Sequence, residues 1–117
     1  MIENFGLGID ISNIKKFKDK PFDENQTFYE NIFSKNEIRY CLKYKNYYEK
    51  FAGKFALKEA VIKSVNKKMH FLEIEVSYVS SKPTIKILNS DSNYRFLASL
   101  SHEKGIAVGV VISEKII

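Results

Sequence analysis

Phe51-Ala-Gly-Lys-Phe-Ala-Leu-Lys-Glu-Ala-Val-Ile-Lys63 places charge where a packed helix ordinarily carries none. With Phe51 at zero and about 100° per residue, Phe55, Ala52, Ala56 and Ile62 share one side, a band roughly 120° wide. Glu59 and Lys63 fall inside that band, four residues apart and stacked. Around the corner Lys50, Lys54 and Lys58 form a basic ridge at the same spacing, beside Leu57 and Val61. A carboxylate and an ammonium on an apolar face, next to a row of lysines, are groups that could hold a metal and phosphates.

A second carboxylate, Asp10, follows the glycine-bearing run Phe5-Gly-Leu-Gly-Ile-Asp-Ile11. Two carboxylates brought together suit Mg²⁺, which takes one or two protein carboxylates plus waters and substrate phosphates. The structural alternatives are plain. Asp10 could cap the next helix, and Glu59 could form an ion pair with Lys63 that offsets the cost of an unpaired buried carboxylate. Lys54, Lys58 and Lys63 could bind phosphate as point charges or lie in solvent. Ser101-His102 at a strand end could touch a phosphate or a ring, but no fixed spacing links the pair to a third catalytic group.

These residues need elements to position them. Residues 5–11 read as a short apolar strand, and isolated strand glycines mark the close approach of a backbone or ligand. Ser12 or Asp10 would cap a short helix over residues 13–18, with Ile14 and Phe17 inward, and Pro21 ends that unit. Residues 26–33 have a helical rhythm. Ser34-Lys-Asn-Glu37 matches a capping box and opens a helix to about residue 45. Tyr47 and Tyr48 lead into the long helix, which runs to about residue 65. After Asn66-Lys-Lys68 the period changes from helix to strand: residues 72–78 alternate, 84–88 alternate across a Ser-Ser-Lys-Pro turn, and 96–101 and 106–112 form a last pair. A strand, then helices, then mostly antiparallel strands, is an α+β layout.

At 117 residues, with 44% hydrophobic and 28% charged residues, one domain over residues 1–117 with its own core is expected. No apolar run is long enough for a membrane span, and the first residues lack a signal-peptide pattern. Cys41 is the only cysteine, which excludes an internal disulfide and fits a reducing cytoplasm. The net charge of +5 is almost wholly lysine, with Arg39 and Arg95 the only arginines. Such a field favours anionic partners: nucleotides, nucleic acid or an acidic protein. A small RNA-binding module is the competing class, but the lysines form no dense stripe and no RNP-type aromatic strand is present.

Together these blocks resemble the short, stand-alone holo-[acyl-carrier-protein] synthases among the 4'-phosphopantetheinyl transferases. Gly6-Leu-Gly-Ile-Asp-Ile11 is similar to that family's Gly-x-Gly-x-Asp strand, and residues 51–64 to its signature helix with the core Lys-Glu-Ala-x-x-Lys. Leu100-Ser-His102 is similar to its late Ser-His strand end, and Phe33-Ser-Lys-Asn-Glu37 to its Phe/Leu-[Thr/Ser]-x-x-Glu stretch. Lys54 stands where arginine is common, the loop 66–70 lacks the usual glycines, and Glu103 replaces a small hydroxyl residue. The resemblance implies transfer of phosphopantetheine from coenzyme A to a serine of acyl carrier protein. It also implies Mg²⁺ held by Asp10 and Glu59, with Lys63 and Lys58 at the phosphates or assisting serine deprotonation. Lys54 and His102 would lie at the 3'-phosphate, and Lys15, Lys16 and Lys18 would face the acidic carrier protein. A homotrimer with the cleft between subunits is implied as well. A relative that binds coenzyme A or carrier protein without turnover is the other outcome compatible with the three departures.

Overall fold

The fold is that of a computed structural model in which residues 2–88 and 93–116 are described. Its first strand, β1 (Phe5–Asn13), runs two residues beyond the expected apolar stretch. It pairs antiparallel with β5 (Ile106–Lys115), which pairs antiparallel with β4 (Tyr94–Glu103), giving the order β1-β5-β4. A separate antiparallel hairpin joins β2 (Ile74–Val79) to β3 (Lys82–Ile87). Both hairpin turns put two residues at positive φ, Ser80 and Ser81 in one and Lys104 and Gly105 in the other. That backbone matches the strand twist and explains the glycine at residue 105.

Between β1 and the hairpin lie α1 (Lys15–Lys18), α2 (Gln26–Glu30), α3 (Lys35–Leu42) and the long α4 (Tyr47–Val65). The capping box at α3 forms as expected: the Glu37 N–H donates to the Ser34 hydroxyl, and the Ser34 N–H donates to Glu37 Oε1 at 2.9 Å. Helix α3 ends at Leu42, earlier than its periodicity suggests. Helix α4 stops at Asn66, which takes a left-handed φ of 52°. The expected cap on α1 is corrected. Neither Ser12 nor Asp10 serves it; Asn13 Oδ1 accepts from the Lys15 N–H at 3.2 Å, and Asp10 is a mid-strand residue.

Two clusters make the core. Phe17, Tyr29, Phe33 and Phe51 pack ring against ring beneath Ile14, Ile32 and Cys41, and the Tyr29 hydroxyl lies 2.7 Å from the Lys20 carbonyl. Leu57, Val61, Ile74, Val76, Ile87 and Val111 fill the space between α4, the hairpin and the sheet.

The orientation of α4 overturns the helical-wheel reading. Its buried residues run almost around the helix, and Lys54 and Lys58 are among the most buried, at 1% and 0% exposure. The side carrying Phe55, Glu59, Ile62 and Lys63, expected to be the apolar face, is the more open one. The physical reason is that the sheet lies on one side and the hairpin with α3 on another, so both sides are covered. The side left partly open is the one that carries Glu59 and Lys63.

Candidate active site

Gly6 and Gly8 let β1 touch the backbone of α4. A Cβ at Gly8 would stand 1.9 Å from the Ala60 carbonyl oxygen, and one at Gly6 would stand 1.7 Å from that of Ser64. Gly109, directly across from Asp10, sits against Ala56 in the same way. Even-numbered residues of β1 therefore face α4, and Asp10 comes to lie beside the helical turn of residues 56–60 that carries Glu59. Its side chain is only 15% exposed.

Lys63 closes the arrangement. Its ammonium lies 3.1 Å from Asp10 Oδ1 and 3.0 Å from the Ile9 carbonyl oxygen. The Glu59–Lys63 pair considered from sequence is thus replaced by Asp10–Lys63. Among the described residues Glu59 makes no side-chain hydrogen bond or ion pair, although it is half-buried. The Lys63 side chain is about half exposed, so its pair with Asp10 adds little to stability, well under about 1 kcal/mol. A strand carboxylate, a helix carboxylate without a partner among the described residues and a half-exposed ammonium are a donor set of hard oxygens with one cation. This set fits a small divalent ion and the phosphates it would accompany.

Lys54 and Lys58, expected at the phosphates by the family resemblance, lie apart from that set and are engaged inside the protein. The Lys58 ammonium forms a buried ion pair with Glu37 at 2.7 Å and donates to the carbonyls of Ile32, Phe71 and Ile74 at 2.7–2.9 Å. Three protons already face four acceptors, and none remains for a ligand. Lys54 donates to the Val76 carbonyl at 2.5 Å and sits between the rings of Tyr40 and Tyr78, 4.6 and 4.8 Å from their centroids. Burial pushes both amines below the usual lysine range; for Lys58 the neighbouring Glu37 carboxylate pulls the other way. Sequence reasoning marked Glu37 as a cap and as the end of the family's Phe/Leu-[Thr/Ser]-x-x-Glu stretch, but not as the partner of Lys58, because its contacts to Lys58 and to the Val76 N–H span 21 and 39 residues.

His102 lies apart from the two carboxylates, against Gly53 near the other end of α4. Its Nδ1 is 3.7 Å from Glu49 Oε1, and its Nε2 is buried with no hydrogen-bond partner among the described residues. Gly53 precedes Glu59 by six residues, about 9 Å along the axis. Glu49 was missed, since nothing in the sequence marks it as a neighbour of residue 102.

The model of the 4'-phosphopantetheinyl transferase superfamily matches residues 6–111, a span that holds the glycine strand, α4 and His102. The chain belongs to that superfamily. It is 38% identical to the holo-[acyl-carrier-protein] synthase of Clostridium kluyveri, over 94% of this chain and 90% of that one. It is 35% identical to that of Mycoplasma capricolum, over 97% and 96%. Among solved structures, the Helicobacter pylori holo-[acyl-carrier-protein] synthase in complex with coenzyme A superposes with a TM-score of 0.81 at 32% identity, covering 92% of this chain and 99% of that one. Family membership bears on the classes left open by charge: the chain is a member of a transferase superfamily, which favours that reading over an RNA-binding module.

Proposed function

We propose that this chain transfers the 4'-phosphopantetheine arm of coenzyme A to a serine of apo-acyl carrier protein, leaving adenosine 3',5'-bisphosphate. The observation that carries the reading is the glycine-tight seam between β1 and α4, which brings Asp10 and Lys63 into contact beside the unpartnered Glu59. In the reaction the serine oxygen bonds to the phosphorus nearest the pantetheine. The P–O bond to the bridging oxygen breaks, and its electrons leave with the adenosine bisphosphate. Such a transfer asks chiefly for positioning and for neutralisation of developing charge.

Asp10 and Glu59 are the residues that would hold Mg²⁺. Bound there, the ion would supply charge neutralisation at the bridging and leaving oxygens. Lys63, half exposed and held among the described residues by Asp10 and the Ile9 carbonyl, can turn to the phosphates or assist loss of the serine proton. His102, with an unpartnered Nε2, is the candidate for the 3'-phosphate. Lys15, Lys16 and Lys18 lie exposed on α1, and Lys18 shares a cleft of about 610 Å³ with Lys15 and Lys45. Matched charge on that surface would speed encounter with an acidic carrier protein.

The same reading includes assembly of identical subunits, a trimer by the family resemblance. The sheet face turned away from α4 carries Phe5, Leu7, Ile9, Ile11, Leu97 and Ile112, with Leu7 70% and Leu97 72% exposed. An apolar sheet face of this size supports burial against a second copy. A cytoplasmic setting agrees with the single free, buried thiol of Cys41.

The test is mass spectrometry of apo-acyl carrier protein incubated with coenzyme A, Mg²⁺ and the protein, beside Glu59→Ala. A mass gain of one phosphopantetheine group that requires both Mg²⁺ and Glu59 is expected. A folded sample that binds coenzyme A but modifies no carrier protein would instead mark a non-catalytic relative.

A further inference from the structure

Among the described residues, strand β2 has β3 on one side and no strand on the other. In an antiparallel strand the N–H and C=O of one residue point to the same side. At Val76 both point away from β3, and each meets a buried charge: the N–H donates to Glu37 Oε2 at 2.7 Å, and the carbonyl accepts from Lys54 at 2.5 Å. Two residues earlier the Ile74 carbonyl accepts from Lys58 at 2.7 Å. A buried strand edge without partners would leave these groups unsatisfied. Three charged side chains from α3 and α4 stand where a neighbouring strand would be.

Charged groups fill this role at high cost, since apolar residues usually replace a buried ion pair without loss of stability. What the charges add is a fixed position. The hairpin is held to α4 chiefly by these polar contacts. It forms one wall of a cleft of about 660 Å³, which lies between residues 79–85 of the hairpin and residues 96–100 of β4. By contrast, Asp10, Glu59 and Lys63 are set by the glycine seam between β1 and α4, where the atoms nearest Gly6, Gly8 and Gly109 belong to α4 and β5.

We infer that Glu37, Lys54 and Lys58 are positioning residues that hold the β2–β3 hairpin at a set distance from α4, and that the cleft between hairpin and β4 whose wall they fix receives part of coenzyme A. The inference rests on the proposed transfer reaction for the identity of that ligand. It separates the two halves of the work: the buried charges govern affinity for coenzyme A, and the glycine seam governs turnover.

Lys54→Met is the first variant, because Lys54 makes no ion pair and its removal strands no carboxylate. Glu37→Gln with Lys58→Met is the second, removing both charges of the pair while keeping a capping-box side chain. For either folded variant, KM and the calorimetric Kd for coenzyme A are expected to rise tenfold or more, with kcat within threefold of the unmodified protein. Affinity within twofold in a folded variant would overturn the inference. So would a fall in kcat at unchanged KM, the mark of a smaller folded fraction alone. If neither variant folds, hydrogen exchange of the unmodified protein decides. Linkage requires coenzyme A to raise protection of the Val76 amide at least tenfold more than that of Phe17, and equal changes would overturn the inference. Should the unmodified protein neither bind coenzyme A nor modify carrier protein, the reaction assignment falls, and this inference with it.

Discussion

Replacing Gly8 by alanine tests whether the seam between β1 and α4 is what makes the site. The Cβ would meet three backbone atoms of α4: the Ala60 oxygen at 1.9 Å, the Ala60 carbon at 2.8 Å and the Ser64 nitrogen at 2.9 Å. No side chain can rotate to relieve the contact, so strand and helix must separate by roughly an ångström before it becomes tolerable. Overpacking of this kind costs about 1–3 kcal/mol, more than the ~0.5–1 kcal/mol gained when a strand glycine is replaced. Asp10 is two residues along the same strand, and its contact with Lys63 at 3.1 Å is already at the outer range of a hydrogen bond. An ångström of separation breaks that contact and moves Asp10 from Glu59. Misplacement on this scale costs about a hundredfold in rate, or ~2.7 kcal/mol of barrier. Gly109→Ala provides a graded comparison, since its Cβ would lie 3.0 Å from Ala56 and needs a shift of only tenths of an ångström. Steady-state transfer to acyl carrier protein, run with urea unfolding of each variant, should rank Gly8→Ala far below Gly109→Ala. A folded Gly8→Ala protein with kcat/KM within about threefold of the unmodified one would refute the reasoning.

Leu7→Glu puts a charge in the middle of the apolar sheet face, and light scattering coupled to gel filtration is expected to show dissociation to monomers. A variant assembled as fully as its parent would show that this face is not the contact. The pH dependence of stability carries a signature of Cys41, whose thiol burial pushes up to about 12 from an ordinary 9.0. The folded state thus keeps a proton that the unfolded chain loses, so stability present below pH 9 is lost as pH rises towards 12, at a slope approaching about 1.4 kcal/mol per pH unit. Lys54 and Lys58 act in the opposite sense, because their lowered values make stability rise with pH below the unfolded lysine value. Urea midpoints of the protein should therefore be compared with those of Cys41→Ala from pH 8 to 10.5. The advantage of the parent should shrink above pH 9, and a constant difference would mean that the thiol ionises equally in both states.

Local rules made much of the fold legible. The capping box at Ser34, the change of period after residue 66 and the alternation in β2 depend only on near neighbours, and all three stand. The two glycines of β1 were legible as a close approach, although not that the approaching group is the backbone of α4. Contacts across long separations were not legible. Ser12 and Asp10 look like caps until β1 is seen to continue to Asn13. Lys54 and Lys58 look like surface residues because lysine almost never lies fully buried without a partner, and their partners come from residues 32, 37, 71, 74 and 76. No spacing rule joins those positions.

The wheel reading of α4 failed for a reason that also explains how the helix works. Counting from Lys58 at about 100° per residue, Glu59 and Lys63 point to about 100° and 140°, and Ala60 and Ser64 to about 200° and 240°. Val61 at about 300° returns towards Lys58. The small residues meet Gly8 and Gly6 of β1, and Lys58 and Val61 meet the hairpin. Glu59 and Lys63 occupy the open sector beside β1, where Asp10 stands. A helix with two packed sides has no single apolar stripe, so amphipathicity cannot orient it. The Lys-Glu-Ala-x-x-Lys spacing does so instead. It turns the first lysine into the interior and sends the glutamate and second lysine to the same edge, one helical turn apart, with an alanine between them small enough for the strand to pass.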